Sequence, residues 1–388
     1  MKKKIIFFIP TLNEGGGERV VSELSLNLPD SVERIILLFK NEVFYPYKGK
    51  LISLNIPLFN NVFFRIYYFF VAVWRFKKII KKESPDLVIS FGAPANIINV
   101  LFNKKAILRI DTFLSSLPSK TYKILAKILF KKALNIICVS KVSAKDLAEN
   151  FNVKKEKIKV IYNLIDTKKI KELSLAPIKA DFEKIFNNPA IITIGRLANG
   201  KNHLRLVKIF KEIKKDIKNA KLVILGTGKL EPEIKKAIKD FGLKEDIHLL
   251  GWQKNPFNFL AKAKLFVLPS SREGLPCSIL EAMACGLPVI SADCKAGPRE
   301  ILAPDTSIAE EADNIEYAEF GILTPVFEKE NSQDENYLTK NEEIFKKAIT
   351  EVLINKNLSD NLNKKSLQRA NDFDIIKIIK EWSFLYDK

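Results

Sequence analysis

Short apolar runs alternate along this chain with longer stretches of helical period, and the runs are rich in Ile, Val, Leu and Phe with little polar interruption. Such continuous runs mark strands buried on both faces. The first half predicts strands over Lys4–Ile9, Arg34–Leu38, Asp86–Phe91, Ala106–Ile110, Asn135–Ser140 and Lys159–Tyr162. The second half predicts Ala190–Ile194, Lys221–Leu225, Ile247–Leu250, Leu265–Leu268 and Pro288–Ser291, with helices such as His203–Ile217 and Glu231–Phe241 between them. Strand-helix alternation on this scale means parallel sheets covered by helices.

The pattern restarts once. Tyr162-Asn163-Leu164-Ile165-Asp166 closes a first series, and Ile191-Ile192-Thr193-Ile194-Gly195 opens a second. A polar, lysine-rich linker is expected near Lys168–Asn188. The expected division is an N-terminal Rossmann-like domain over 1–170, a second over 171–370, and a C-terminal helix over 371–388 packing back on the first domain. A length of 388 residues agrees with two domains, since single cores stop growing near ~250–300 residues. The acidic segment Asp305–Glu343 is expected to be a partly irregular surface excursion.

Charge adds a second layer. The net charge is +19, unevenly spread. Residues 51–150 hold 16 Lys and Arg against 5 Asp and Glu, whereas 301–350 hold 4 against 12. That asymmetry suggests a surface that meets anionic matter: membrane, nucleic acid or phosphorylated substrate. Lys120, Lys123, Lys127 and Lys131 recur at helical spacing and predict one basic face, with Tyr122, Leu125, Ile128 and Leu129 towards the other side. Residues 63–82 mix aromatics with Arg65, Arg75, Lys77, Lys78, Lys81 and Lys82. Basic amphipathic helices with aromatics suit anionic lipid headgroups; ordinary sheet-packed helices with solvated lysines would show the same spacing.

Other classes are disfavoured. Cys138, Cys277, Cys285 and Cys294 form no C-x-x-C pair and only two histidines exist, so a structural zinc site is not expected. The run Ile66–Trp74 has about half the ~20 residues a spanning helix needs. Lys2–Lys4 followed by Ile5–Ile9 reads as a buried first strand rather than a signal peptide, because Pro10 ends the run and no small-residue cleavage site follows.

Three places carry candidate chemistry. Gly15-Gly16-Gly17 follows the first strand and precedes a helix expected near Glu18; the glycines either admit a phosphate to the helix N-terminus or form a tight turn. Their spacing is not G-x-G-x-x-G, which disfavours NAD. Arg196, at the end of a strand, and Lys201, in the loop that follows, either clamp a diphosphate or are a solvated pair. Ser270-Ser271-Arg272-Glu273-Gly274-Leu275-Pro276 follows a strand, and Glu281 follows Glu273 with seven residues between. With a helix beginning near Ser278 and Glu281 in its first turn, backbone N–H groups form an anion cradle with a carboxylate at each end; the alternative is two unrelated surface glutamates.

The block Glu273–Glu281 with Ala282-Met283-Ala284-Cys285-Gly286-Leu287-Pro288 resembles the E-x7-E region of the family-four retaining glycosyltransferases. Gly15–Arg19, Gly195-Arg196 with Lys201, Gly226-Thr227-Gly228, Gly251-Trp252 and Gly297-Pro298-Arg299-Glu300 fall in that family's order. The resemblance implies an α/β fold of two facing Rossmann-like domains (GT-B) with an interdomain cleft, and a sugar transferred with retention from a nucleotide diphosphate, UDP foremost, to a membrane-associated glycan or lipid-linked acceptor. It implies that Arg196 and Lys201 hold the diphosphate and its developing charge, Glu281 the ribose, and Glu273 the sugar. Gly274, Leu275 and Pro276 would line phosphates and sugar, Gly226, Gly251 and Trp252 would frame the nucleotide, and Gly16 and Gly17 would approach from the first domain. Where family members often carry a histidine after the strand equivalent to Ala106–Ile110, this chain has Asp111, which either takes that role or is a cap or turn residue.

On this reading no cofactor and no metal are needed, no D-x-D motif is expected, and the partners are a nucleotide sugar, its acceptor and an anionic membrane, with no nucleic acid. The expected place is the cytoplasmic side, peripheral on the cell membrane. Two alternatives remain: a non-catalytic polyanion-binding protein on the same fold, and a nucleotide-sugar epimerase.

Overall fold

The computed structural model describes residues 2–13, 15–56, 62–328 and 337–386. The side chains of 62–66, Arg65 among them, lie outside that description, as do 329–336 of the acidic segment and the last two residues of the expected C-terminal helix. The chain forms two compact units, Met1–Leu164 with Ile376–Lys388, and Ile165–Ile375.

The first unit carries strands β1 (Lys3–Ile9), β2 (Val32–Leu38), β3 (Lys50–Ser53), β4 (Leu87–Phe91), β5 (Ala106–Ile110), β6 (Asn135–Cys138) and β7 (Ile158–Val160) in the order β3-β2-β1-β4-β5-β6-β7. All pairings are parallel. Ile5, Ile6, Phe7 and Phe8 are completely buried, as the unbroken apolar run requires of a strand covered on both faces. Each such side chain contributes about 1.5–3 kcal/mol on leaving water. Strand order reverses between β1 and β4, so the loops that follow them part there and leave a crevice at the carboxyl edge.

The second unit repeats the plan with β8 (Ala190–Ile194), β9 (Lys221–Leu225), β10 (Ile247–Gly251), β11 (Leu265–Leu268), β12 (Val289–Ala292), β13 (Glu316–Ala318) and β14 (Gly321–Thr324), ordered β10-β9-β8-β11-β12-β14-β13. Its reversal lies between β8 and β11, the strands that deliver Arg196 with Lys201 and Glu273. The sheet is parallel except where β13 runs antiparallel to β14.

Four expectations are corrected. The edge strand β3 was not foreseen: Lys50-Leu51-Ile52-Ser53 is too short and polar to stand out. The acidic segment contains β14, fully buried beside β12, because its apolar Gly321–Thr324 is framed by charge that masks it. The lysine-rich linker is folded: helix Thr167–Ser174 is capped by Asp166, which accepts from Lys169 N at 2.8 Å. Asn255 and Asn258 donate to the Leu173 and Pro177 carbonyls, and Phe182 and Phe186 pack on Phe259, tying the segment to the second unit. Finally, Asn371–Lys388 is not one helix. Asp374 interrupts it in extended conformation, accepting from Thr167 Oγ1 at 2.5 Å, and helix Ile375–Glu381 follows.

Candidate active site

In the second unit the loops above β8, β9 and β10 are sewn together by their backbones. Leu197 N donates to Thr227 O at 2.9 Å, Leu230 N to Leu197 O at 3.0 Å, and Gly226 N to Gly251 O at 2.8 Å. Gly226 has φ +144, and a Cβ there would stand 2.0 Å from the Gly195 carbonyl oxygen, so no other residue fits this approach. Ser271 N donates to Gly200 O at 2.8 Å, tying the β8 loop to the β11 loop across the reversal.

That tie brings the charged residues together. Lys201 Nζ lies 2.5 Å from Glu273 Oε1, with the two side chains 25% and 10% exposed. Arg196 is exposed beside them in sequence, two residues past β8. Asn202, in left-handed conformation, holds the turn by donating to Pro269 O at 2.7 Å. Gly274, Leu275 and Pro276 are buried, and Pro276 precedes helix Cys277–Ala284. Glu281 is buried on this helix, one residue further from its start than expected and so just past the first turn, because the helix starts at Cys277 rather than Ser278. The Cys285 thiol beside it is pushed up to about 12, by burial first and by the Glu281 charge second. Gly297 has φ +95, and a Cβ there would lie 2.6 Å from Pro276 Cδ, so the glycine holds the Gly274–Pro276 loop against the next helix. Gly251 and Trp252, both half-buried, stand at the end of β10.

His203 begins the helix after Lys201. It is buried, its Nδ1 has no hydrogen-bond partner, and its pKa falls to about 4 through burial first and the Lys201 charge second.

In the first unit the helix after β1 begins at Gly16, two residues before the expected start, so Gly16 and Gly17 form its first turn with Gly15 as the extended cap. Asp111 follows β5 directly. A Cβ on Gly17 would stand 3.7 Å from Asp111 Oδ2, which places the carboxylate and the helix start at one crevice. The other oxygen, Oδ1, accepts from Arg109 Nε at 2.9 Å. Arg109 is completely buried. Sequence reading passed over it, although a single charge inside the apolar run Ala106–Ile110 was the available signal.

The basic surface differs from its expectation. Helix Lys120–Leu129 ends before Lys131, which lies in the 3-10 turn Phe130–Lys132, so the four lysines do not share one helix. Leu125 and Ile128, expected to pack inwards, are exposed together with Ile124, while Ala126 and Leu129 are buried. The outer face is thus an apolar stripe edged by lysine. On helix Val62–Glu83 the exposed side chains include Tyr67, Phe70 and Trp74, and also Lys77 and Lys78, whose ammonium groups lie over the Phe102 and Trp74 rings. Helix Ala93–Phe102 packs against both.

One D-x-D does occur, Asp372-Phe373-Asp374, against expectation. Both carboxylates are engaged, Asp372 with Arg369 and Asp374 with Thr167. Among the described residues no cluster of three or more His, Cys, Asp or Glu is placed to hold a metal. No helix among them is long and apolar enough to cross a membrane.

Residues 177–320 match the family described as Glycosyl transferases group 1, and residues 14–169 match Glycosyltransferase Family 4. An uncharacterized glycosyltransferase of Methanocaldococcus jannaschii is 36% identical over 365 residues, covering 88% of this chain and 89% of its own. The N-acetylgalactosamine-N,N'-diacetylbacillosaminyl-diphospho-undecaprenol 4-alpha-N-acetylgalactosaminyltransferase of Campylobacter jejuni is 29% identical over 395 residues and 98% of each chain. Among solved structures, Anabaena HepE in complex with UDP and glucose superposes with TM-score 0.75 at 18% identity over 98% of each chain.

Proposed function

Because the chain belongs to the glycosyltransferases that join a family 4 domain to a group 1 domain on the GT-B fold, we propose that it transfers a sugar with retention from a UDP-sugar to a lipid-linked glycan at a membrane surface. The observation that carries the donor side is the Lys201–Glu273 pair at the strand-order reversal of the second unit, with Arg196 exposed earlier in the same loop and Glu281 buried on the following helix. Negative charge grows on the diphosphate as the glycosidic bond breaks. Fixed cations placed there lower the barrier by holding that charge in the transition state more strongly than in the ground state. Arg196 and Lys201 supply them, so the reading needs neither metal nor cofactor. Glu281 receives the ribose hydroxyls and Glu273 the hydroxyls of the departing sugar, whose ring becomes oxocarbenium-like. Gly274–Pro276, Gly226, Gly251 and Trp252 frame the nucleotide.

On the acceptor side, Asp111 offers an oriented carboxylate beside Gly16 and Gly17. The diphospho-undecaprenol in the name of the Campylobacter relative supports a lipid-linked acceptor. The lysine-edged stripe of Ile124, Leu125 and Ile128, with Tyr67, Phe70 and Trp74 nearby, suits shallow insertion into an anionic leaflet on the cytoplasmic side. Neither the polyanion-binding nor the epimerase alternative is favoured, since the relatives are named as glycosyltransferases.

The test is a screen of purified protein against a panel of nucleotide sugars, first without acceptor and then with diphospho-undecaprenol glycans, the product's anomeric configuration read by NMR. UDP, the nucleotide bound in the Anabaena structure, heads the panel. Product of inverted configuration, or no turnover of any nucleotide sugar, would overturn the proposal.

A further inference from the structure

Arg109 is the least expected residue of the first unit. It is a guanidinium with 0% exposure on β5, between β4 and β6. Burying such a charge costs several kcal/mol unless it is paired and hydrogen-bonded. Its contacts are specific. Nε donates to Asp111 Oδ1 at 2.9 Å and Nη2 to Asn163 Oδ1 at 2.6 Å, while Nη1 is buried without a partner. The Phe91 ring centroid lies 5.9 Å from the guanidinium carbon and the Trp382 centroid 5.3 Å. Trp382 is itself completely buried, and it comes from Ile376–Lys388, the segment that returns to this unit after the whole of the second.

The arrangement is directional. Asp111 is 31% exposed at the carboxyl end of the strand, and its partner has no exposure. One carboxylate oxygen is taken by Arg109. The other, Oδ2, accepts no hydrogen bond among the described residues and lies on the side of Gly17. Nearby, the Tyr122 hydroxyl is pushed up to about 12 by burial, with the Asp111 charge adding to it. A buried cation thus fixes the rotation of a half-exposed carboxylate so that one oxygen remains for a ligand hydroxyl. Two aromatic planes in turn fix the cation, since arginine stacks on rings as lysine does not.

We propose that Arg109 is the positioning residue for Asp111 in glycosyl transfer, and that Trp382 from the returning C-terminal segment holds Arg109 in place. This rests on the reading of Asp111 as the acceptor-side carboxylate. Misorientation of a reacting group by about 1 Å lowers rate by about 10²-fold, so loss of the anchor should be felt by the acceptor reaction. The donor's own hydrolysis, which needs no acceptor hydroxyl, should be spared.

The experiment measures kcat/KM for acceptor, acceptor-free donor hydrolysis and Tm in the full-length protein. Asp111→Asn should lower acceptor kcat/KM by about 10²-fold or more, Arg109→Gln by at least tenfold, and Trp382→Leu by a smaller factor that Trp382→Phe restores. Donor hydrolysis should stay within twofold of wild type in the folded Arg109 and Trp382 variants. Arg109→Gln combined with Asp111→Asn should be no worse than Asp111→Asn alone. Wild-type transfer in Asp111→Asn would overturn the acceptor-side reading itself. Loss in Asp111→Asn with wild-type transfer in Arg109→Gln and Trp382→Leu would overturn only the positioning inference. Parallel loss of transfer and hydrolysis in the Arg109 and Trp382 variants would mark a purely structural role, and likewise overturn it. Where Arg109→Gln does not fold, the Leu and Phe variants of Trp382 decide.

Discussion

Replacing Glu273 with glutamine should tighten UDP binding while it abolishes transfer, an opposition of sign that follows from the 2.5 Å contact with Lys201. The ammonium that is to hold the diphosphate is occupied by this carboxylate in the free protein. At the effective dielectric of a partly buried site, two unit charges at ~4 Å attract by about 4 kcal/mol. Desolvation of both groups offsets most of this, leaving about 1–2 kcal/mol to be surrendered when Lys201 turns towards phosphate. Glu273→Gln removes that competition and also a negative charge facing the diphosphate, so UDP should bind up to about tenfold tighter. Lys201→Ala should do the reverse, weakening UDP and lowering turnover by about 10²-fold or more. In the double variant the loss should be smaller than in Lys201→Ala alone, since no stranded carboxylate then repels the ligand. Calorimetry with UDP on the four proteins, beside their transfer rates, reads the cycle. Additivity within about 0.5 kcal/mol, or weaker UDP binding in Glu273→Gln, would refute the shared use of Lys201.

Glu281→Ala should weaken UDP and the intact donor equally, read by calorimetry with each, because the ribose is common to both. Activity should persist in EDTA; loss that Mg²⁺ or Mn²⁺ restores would contradict charge neutralisation by Arg196 and Lys201. Folding stability should fall as pH drops from about 6.5 to about 4, because unfolded chains protonate His203 over that range while the folded state, with the pKa lowered to about 4 by burial, does not. Urea titrations at pH 7 and 4.5 should show about 2–3 kcal/mol of this loss removed in His203→Gln. Binding to anionic vesicles should be lost when Ile124, Leu125 and Ile128 become Ser. Substitution of Lys120, Lys123 and Lys127 by Gln should remove its salt dependence, the Debye length being ~3 Å at 1 M.

The reading from sequence located the strands that bury both faces, because an unbroken run such as Ile5–Ile9 has no other stable home. It located Glu273 and Lys201 without their contact, since the pairing depends on the Ser271–Gly200 tie across two loops that are remote in sequence. Short elements escaped: β14 is four residues inside an acidic stretch, and packing rather than period makes it a strand. Helix faces were only half legible. Spacing grouped the lysines of 120–127, yet which side of the helix meets the sheet is set by neighbours, so Leu125 and Ile128 turned out exposed. Arg109 was visible as a letter and invisible as a role, because its partners Asn163 and Trp382 lie far along the chain.

That distance has a consequence for biosynthesis. The first unit is discontinuous: Met1–Leu164 leaves the ribosome early, while Ile376–Lys388 follows roughly two hundred residues later. At 5–20 residues per second, roughly 10–40 s separate the two. Through that interval the guanidinium of Arg109 has no Trp382 ring beside it, and the nascent unit carries an incompletely packed interior. A chain cut short anywhere before Trp382 never closes it. Prematurely terminated products should therefore be recognised as unfinished by chaperones and proteases, so that completion of synthesis doubles as a checkpoint on competence.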